Sequence, residues 1–207
     1  MPSPSALRLI AAALWIGAGV GYFVVEAAAA SRLAGYSVAN DYISDLGRPD
    51  SPLAWWMNAA FRVQGMAFVV AGALTVHADR PRRGRMVFVV AACVYGAGSV
   101  AVGLVPSGGA GAPALVHAAG AAAAIVGGNL AVLAAGRAGL PAGAGGVHAV
   151  GYGLGVVGLV GGALLLWSGL PRGLCERAAI YAIIAWQLLA ATATVTASAA
   201  NRGPGPT

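Results

Sequence analysis

Ala149-Val-Gly-Tyr-Gly-Leu-Gly-Val-Val-Gly-Leu-Val-Gly-Gly-Ala-Leu-Leu-Leu-Trp167 contains no charged residue. At about 1.5 Å per residue such a helix reaches nearly across the ~30 Å of hydrocarbon in a bilayer. A soluble helix of that length carries a polar face, and this one has none. The stretch therefore reads as a membrane span.

Outward from it, the same reading applies to residues 9–29, 53–76, 86–105, 114–135 and 178–199. With 149–167 they predict an all-α fold: a polytopic transmembrane bundle of six helices forming one domain, with 200–207 as a disordered tail. The first run is read as a span, because Glu26 stands where a signal peptide would be cleaved. Composition agrees. The 207 residues are 59% hydrophobic and 9% charged, with a mean hydropathy of +0.79, whereas a soluble domain is about 25% charged. So few charges cannot cover a water-facing surface. A soluble enzyme, a disordered chain and a secreted disulfide scaffold are thereby excluded. Cys93 and Cys175 fall at different depths, and no disulfide is expected between them.

The basic residues orient the bundle. The net charge is +6, and all twelve basic residues are arginine. Arg8, Arg80, Arg82, Arg83, Arg85, Arg137 and Arg202 fall on one side, and Arg32, Arg48, Arg172 and Arg177 on the other. The block His77-Ala-Asp-Arg-Pro-Arg-Arg-Gly-Arg85 is the strongest anchor. By the positive-inside rule both termini are expected in the cytoplasm, with the chain a multi-pass protein of the cell membrane. No soluble face gathers the arginines, so nucleic acid is not an expected partner. Membrane lipids are, and a membrane-protein partner is left open.

The acids lie mostly on the opposite side. Glu26 is near the outer end of the first span; Asp41, Asp45 and Asp50 are in the first outer loop; Glu176 opens the last span. Only Asp79 belongs with the arginine block. His117 stands early in the fourth span, also outside, and Arg62 lies within the second span. In the first outer loop, Asp41, Ser44, Asp45 and Arg48 follow helical spacing opposite Val38, Tyr42, Ile43 and Leu46. That pattern predicts a short amphipathic helix on the outer mouth of the bundle.

Ionisable groups at one rim point to a site there. Asp41, Ser44, Asp45 and His117 are the candidate catalytic residues: a hydroxyl nucleophile, a base, and a carboxylate to orient it. Arg48, Arg62, Glu176 and Arg177 are the candidate substrate-binding residues. The second, fourth and sixth spans also begin at this rim, and helix starts with arginine favour an anionic group. A structural ion pair between Glu26 and Arg62 is the alternative use of Arg62, since a charge within a span needs a partner. His77 and His148 fall on the other side from His117, so no metal is expected, and no cofactor. The leading expectation is a site at the outer leaflet that binds or modifies a lipid or lipid-linked anionic substrate, as a membrane-embedded hydrolase or transferase in the enzymatic version. A non-catalytic scaffold or transport accessory, and a small carrier using Gln64, Asn129 and Gln187, are the rivals.

Small residues predict the packing. Gly151, Gly155, Gly158 and Gly162 form one stripe on the fifth span, and Gly17 and Gly21 another on the first.

Several segments also resemble a known family. They are Tyr36-Ser-Val-Ala-Asn-Asp-Tyr-Ile-Ser-Asp-Leu-Gly47, Arg62 followed by Gly65, Pro106 with the later His117, and Glu176-Arg177 with Trp186. Together they resemble the prokaryotic six-span proteins of domain of unknown function 998. The resemblance covers nearly the whole chain and implies a six-helix integral membrane protein. It implies no activity. The segment Val105-Pro-Ser-Gly-Gly109 departs from the pattern, in which an acid is expected soon after the proline.

Overall fold

The computed structural model describes residues 2–81, 83–167 and 169–200. It contains six long helices: α1 (Pro4–Arg32), α2 (Ala54–Asp79), α3 (Arg85–Leu104), α4 (Ala112–Ala138), α5 (Gly145–Leu164) and α6 (Arg172–Ala200). No strand occurs among the described residues. All six helices are long and apolar enough to cross a membrane. Residues 201–207 of the expected disordered tail lie outside the described residues; Ala200 is the last residue of α6.

Each helix packs on its neighbours in sequence, and α6 returns to α1, which closes a ring. The helices alternate in direction. One end of the bundle is marked by Arg8, whose Nε donates to Asp79 at 2.6 Å, and by the amide of Ala142, which donates to the same carboxylate at 2.7 Å. This is the Arg-rich end. The other carries the connection between α1 and α2 and is called here the loop end.

Two apolar clusters fill the interior. Trp15, Phe68, Phe88, Tyr95 and Trp186 are fully buried toward the Arg-rich end. Tyr22, Ile43, Leu46, Met57 and Phe61 fill the loop end. Polar groups between them satisfy one another. Gln64 donates to Gln187 at 2.6 Å, and Gln187 donates to the carbonyl of Trp15 at 2.6 Å. Outside, valines such as Val24, Val63, Val90 and Val156 stand exposed, as apolar helices do where their solvent is lipid.

The glycine stripe of α5 serves packing. Gly155 and Gly158 lie against Asn129 of α4, and Gly162 lies against Ile125. Gly151 lies against Trp186 of α6. The stripe expected on α1 is not used: nothing lies within 4 Å of where a Cβ would stand on Gly17 or Gly21. Gly19, between them, makes the close approach to α6 instead.

The first outer loop also differs from expectation. In place of an amphipathic helix it forms a turn at 37–41 and one 3-10 helix, Ile43–Gly47. The reason is local. Asp41 accepts from the amide of Ser37 at 2.7 Å, and Asp45 from that of Tyr42 at 3.1 Å. Side chains bonded to nearby backbone compete with the helical ladder. Ile43, Ser44 and Leu46 are buried, so the segment plugs the bundle.

Candidate functional site

Two groups of polar residues meet at the loop end, and they do different things. The first centres on Arg177, one turn into α6. Its Nη2 stands 3.0 Å from Glu26 Oε1, and Nε donates to the same oxygen at 3.1 Å. Nη1 donates to the carbonyls of Val38 at 2.6 Å, Gly173 at 3.2 Å and Asp41 at 3.3 Å. Nη2 also donates to the hydroxyl of Tyr36 at 2.6 Å, which in turn donates to the carbonyl of Tyr42. Tyr181 donates to Glu26 at 2.8 Å. Burial pushes the Tyr36 phenol above its ordinary range, against the opposing pull of Arg177. Every guanidinium nitrogen is engaged, so Arg177 holds the loop onto α1 and α6 and has no donor left for a ligand.

Arg62 is not the partner of Glu26. It lies half-buried against Gly103 of α3, and its Nε donates to the carbonyl of Asn58 at 3.0 Å. Glu26 lies at the contact of α1 with α6, and Arg177 is the cation found there. Arg62 makes no salt bridge among the described residues. Arg48 is exposed and pairs with Asp50 at 3.2 Å. Arg172 stacks over the ring of Tyr42 at 5.8 Å.

The second group lines a cavity of about 680 Å³ between α4, α5 and the connections at the loop end. Its polar rim is Tyr42, Ser44, Asp45, Ser107, His117 and Glu176. Its apolar wall runs from Ala118 to Val126 on α4, and from Leu159 to Leu166 at the end of α5. Ala118, Ala122, Val126 and Leu166 are exposed, so the cavity opens sideways through the outer surface of the bundle.

The rim is held by bonds made mostly to backbone. Asp45 accepts from Ser107 at 3.1 Å, and Ser107 also bonds the carbonyl of Ser44 at 3.0 Å. Nδ1 of His117 lies 2.7 Å from the carbonyl of Val105. A carbonyl only accepts, so Nδ1 carries the proton and Nε2 is the ring's other nitrogen, without a partner among the described residues. Glu176 accepts from the amide of Ile43 at 2.5 Å through Oε2. Its Oε1 has no hydrogen bond among the described residues. Glu176 also borders a second, smaller space of about 30 Å³ shared with Tyr22, Ser44, Tyr95 and Ser99. That space is on the scale of a single water.

The structure thus brings Ser44, Asp45, His117 and Glu176 to one cavity and leaves Asp41, Arg48, Arg62 and Arg177 outside it. Asp41 lines a different hollow, with Tyr36, Arg48 and Asp50, and Asp45 borders both. No hydrogen bond joins Ser44, Asp45 and His117 to one another, and a backbone carbonyl orients the imidazole. Ser107 and Tyr42 were missed from sequence. Ser107 stands just after the proline where the family pattern led to an acid, and its hydroxyl bonds an acid instead. Among the described residues no group of three His, Cys, Asp or Glu side chains is placed to hold a metal.

The sequence model of the family described as "Protein of unknown function (DUF998)" matches residues 10–193. No curated protein and no solved structure matches the chain. The match spans most of the chain, which belongs to this family of integral membrane proteins.

Proposed function

We propose that this DUF998 protein binds a membrane amphiphile in the sideways-open cavity between α4 and α5, with Ser44, Asp45, His117 and Glu176 meeting its polar end. One observation carries the reading: an apolar wall continuous with the lipid-facing surface ends at a rim of buried and half-buried polar groups. Pockets of this kind, apolar with a few convergent polar groups, fit a molecule with a tail and a head. The bilayer delivers such a ligand laterally, so no water-facing domain is required. The Arg-rich end is the cytoplasmic one in this reading, which places the cavity at the outer leaflet of the cell membrane.

Binding is the core of the proposal. The free Nε2 of His117 suits proton transfer, but the serine has no base bonded to it. The Glu26–Arg177 network serves as scaffolding: it fixes the loop that forms one wall of the cavity.

The test is lipid co-purification. Wild type extracted in a mild uncharged detergent is expected to retain a lipid visible by native mass spectrometry. Ala122→Trp, which fills the groove from an exposed position, is expected to lower its occupancy on the order of tenfold. Equal occupancy in the two proteins would refute the assignment.

A further inference from the structure

Glu176 is a buried acid on the rim with only one of its two oxygens bonded. Its residue is 92% buried, being 8% exposed, yet only Oε2 is bonded; Oε1 has no donor among the described residues, and the residue lines the cavity. A buried carboxylate is normally paired with a cation or with several donors. The adjacent Arg177 makes no hydrogen bond to it, because its guanidinium is turned to Glu26 and to the loop carbonyls. Asp45 lines the same cavity with one bond to each of its oxygens, so each keeps accepting capacity. The wall therefore carries two carboxylates. None of Arg32, Arg48, Arg62, Arg172 and Arg177 lines it. His117 adds a further acceptor at Nε2 while its ring is neutral.

We propose that the head group held in this cavity is an ammonium, seated between Glu176, Asp45 and Ser44 while its hydrocarbon tail lies along α4 and α5. The inference rests on the amphiphile reading above and specifies the chemistry of its ligand. An ammonium has three N–H donors, and Glu176, Asp45 and Ser44, which line one cavity, each carry an oxygen with accepting capacity. A phosphate there would face two acidic side chains on a wall that carries no arginine, in surroundings of low dielectric. A neutral alcohol donates one hydrogen bond where an ammonium donates three. The preference runs against the chain's overall charge of +6, so it would not arise from the general field of the protein.

The experiment uses the full chain in uncharged maltoside micelles with radiolabelled dodecylamine, dodecanol and dodecyl phosphate, each read by scintillation proximity. Dodecylamine is expected to bind on the order of tenfold more tightly than dodecanol, with dodecyl phosphate weakest. Glu176→Gln keeps an acceptor for the Ile43 amide, and is expected to remove the amine's advantage while leaving dodecanol binding in place. Should that variant not fold, Asp45→Asn is expected to lower the same ratio. Phosphate binding as tightly as amine, or an amine preference that survives both substitutions, overturns the ammonium assignment alone. If none of the three probes binds, the amphiphile reading falls with it.

Discussion

At the scale of single residues, Arg177 matters most for stability. It bonds one carboxylate, one phenol and three carbonyls that belong to separate segments. Arg177→Met leaves Glu26 buried without a counter-charge, and the expected loss is about 3–5 kcal/mol. The double variant Glu26→Gln with Arg177→Met is expected to recover part of that loss, because the orphaned carboxylate is gone. Thermal unfolding in one detergent checks both; a double variant as unstable as the sum of the singles would contradict the account. Sequence revealed that Glu26 and Arg177 are costly charges near one rim. It did not reveal that they meet. Their pairing depends on α6 packing beside α1, which no local pattern encodes, and Arg62 looked equally available. Arg62 avoids a carboxylate because its long stem lies on Gly103 and its Nε reaches a carbonyl of its own helix.

At the scale of elements, the two glycine stripes looked alike in sequence and have opposite fates. Gly158 stands where a Cβ would overlap the amide of Asn129. That amide donates to Ile125 and Ala179, so it cannot simply turn away. Gly158→Ala is expected to cost about 1–3 kcal/mol through overpacking. Gly17→Ala meets open space and is expected to be neutral within about 0.5 kcal/mol. Melting curves of the two variants separate the cases, and equal destabilisation would refute the packing described. The first outer loop teaches a related point. Its polar spacing matched a helix, but Asp41 and Asp45 each bond a nearby amide and hold it to a turn and a short 3-10 helix. Periodicity reports which residues share a face, and carboxylates beside free amides decide whether the helix forms.

At the scale of the whole molecule, the apolar runs located all six helices, since length and hydropathy suffice for that. The rim site was only half legible. Ser44, Asp45, His117 and Glu176 were identified by their shared side, while the cavity depends on how α4, α5 and the loops pack together, which the sequence does not show. The arginines predict an orientation that labelling can test. In a background lacking Cys93 and Cys175, Asp50→Cys is expected to react with an impermeant maleimide on intact cells. Arg83→Cys is expected to react only after the membrane is opened. Reaction of both from one side would invert or break the topology.

The cavity itself is tested most directly by photo-crosslinking with an alkyl-chain diazirine probe, followed by peptide mapping. The account predicts adducts concentrated at residues 118–126 and 159–166, and their loss in Ala122→Trp. Adducts spread evenly over other exposed positions such as Trp55, Val87 and Val156 would show a uniform lipid-facing surface with no site in it.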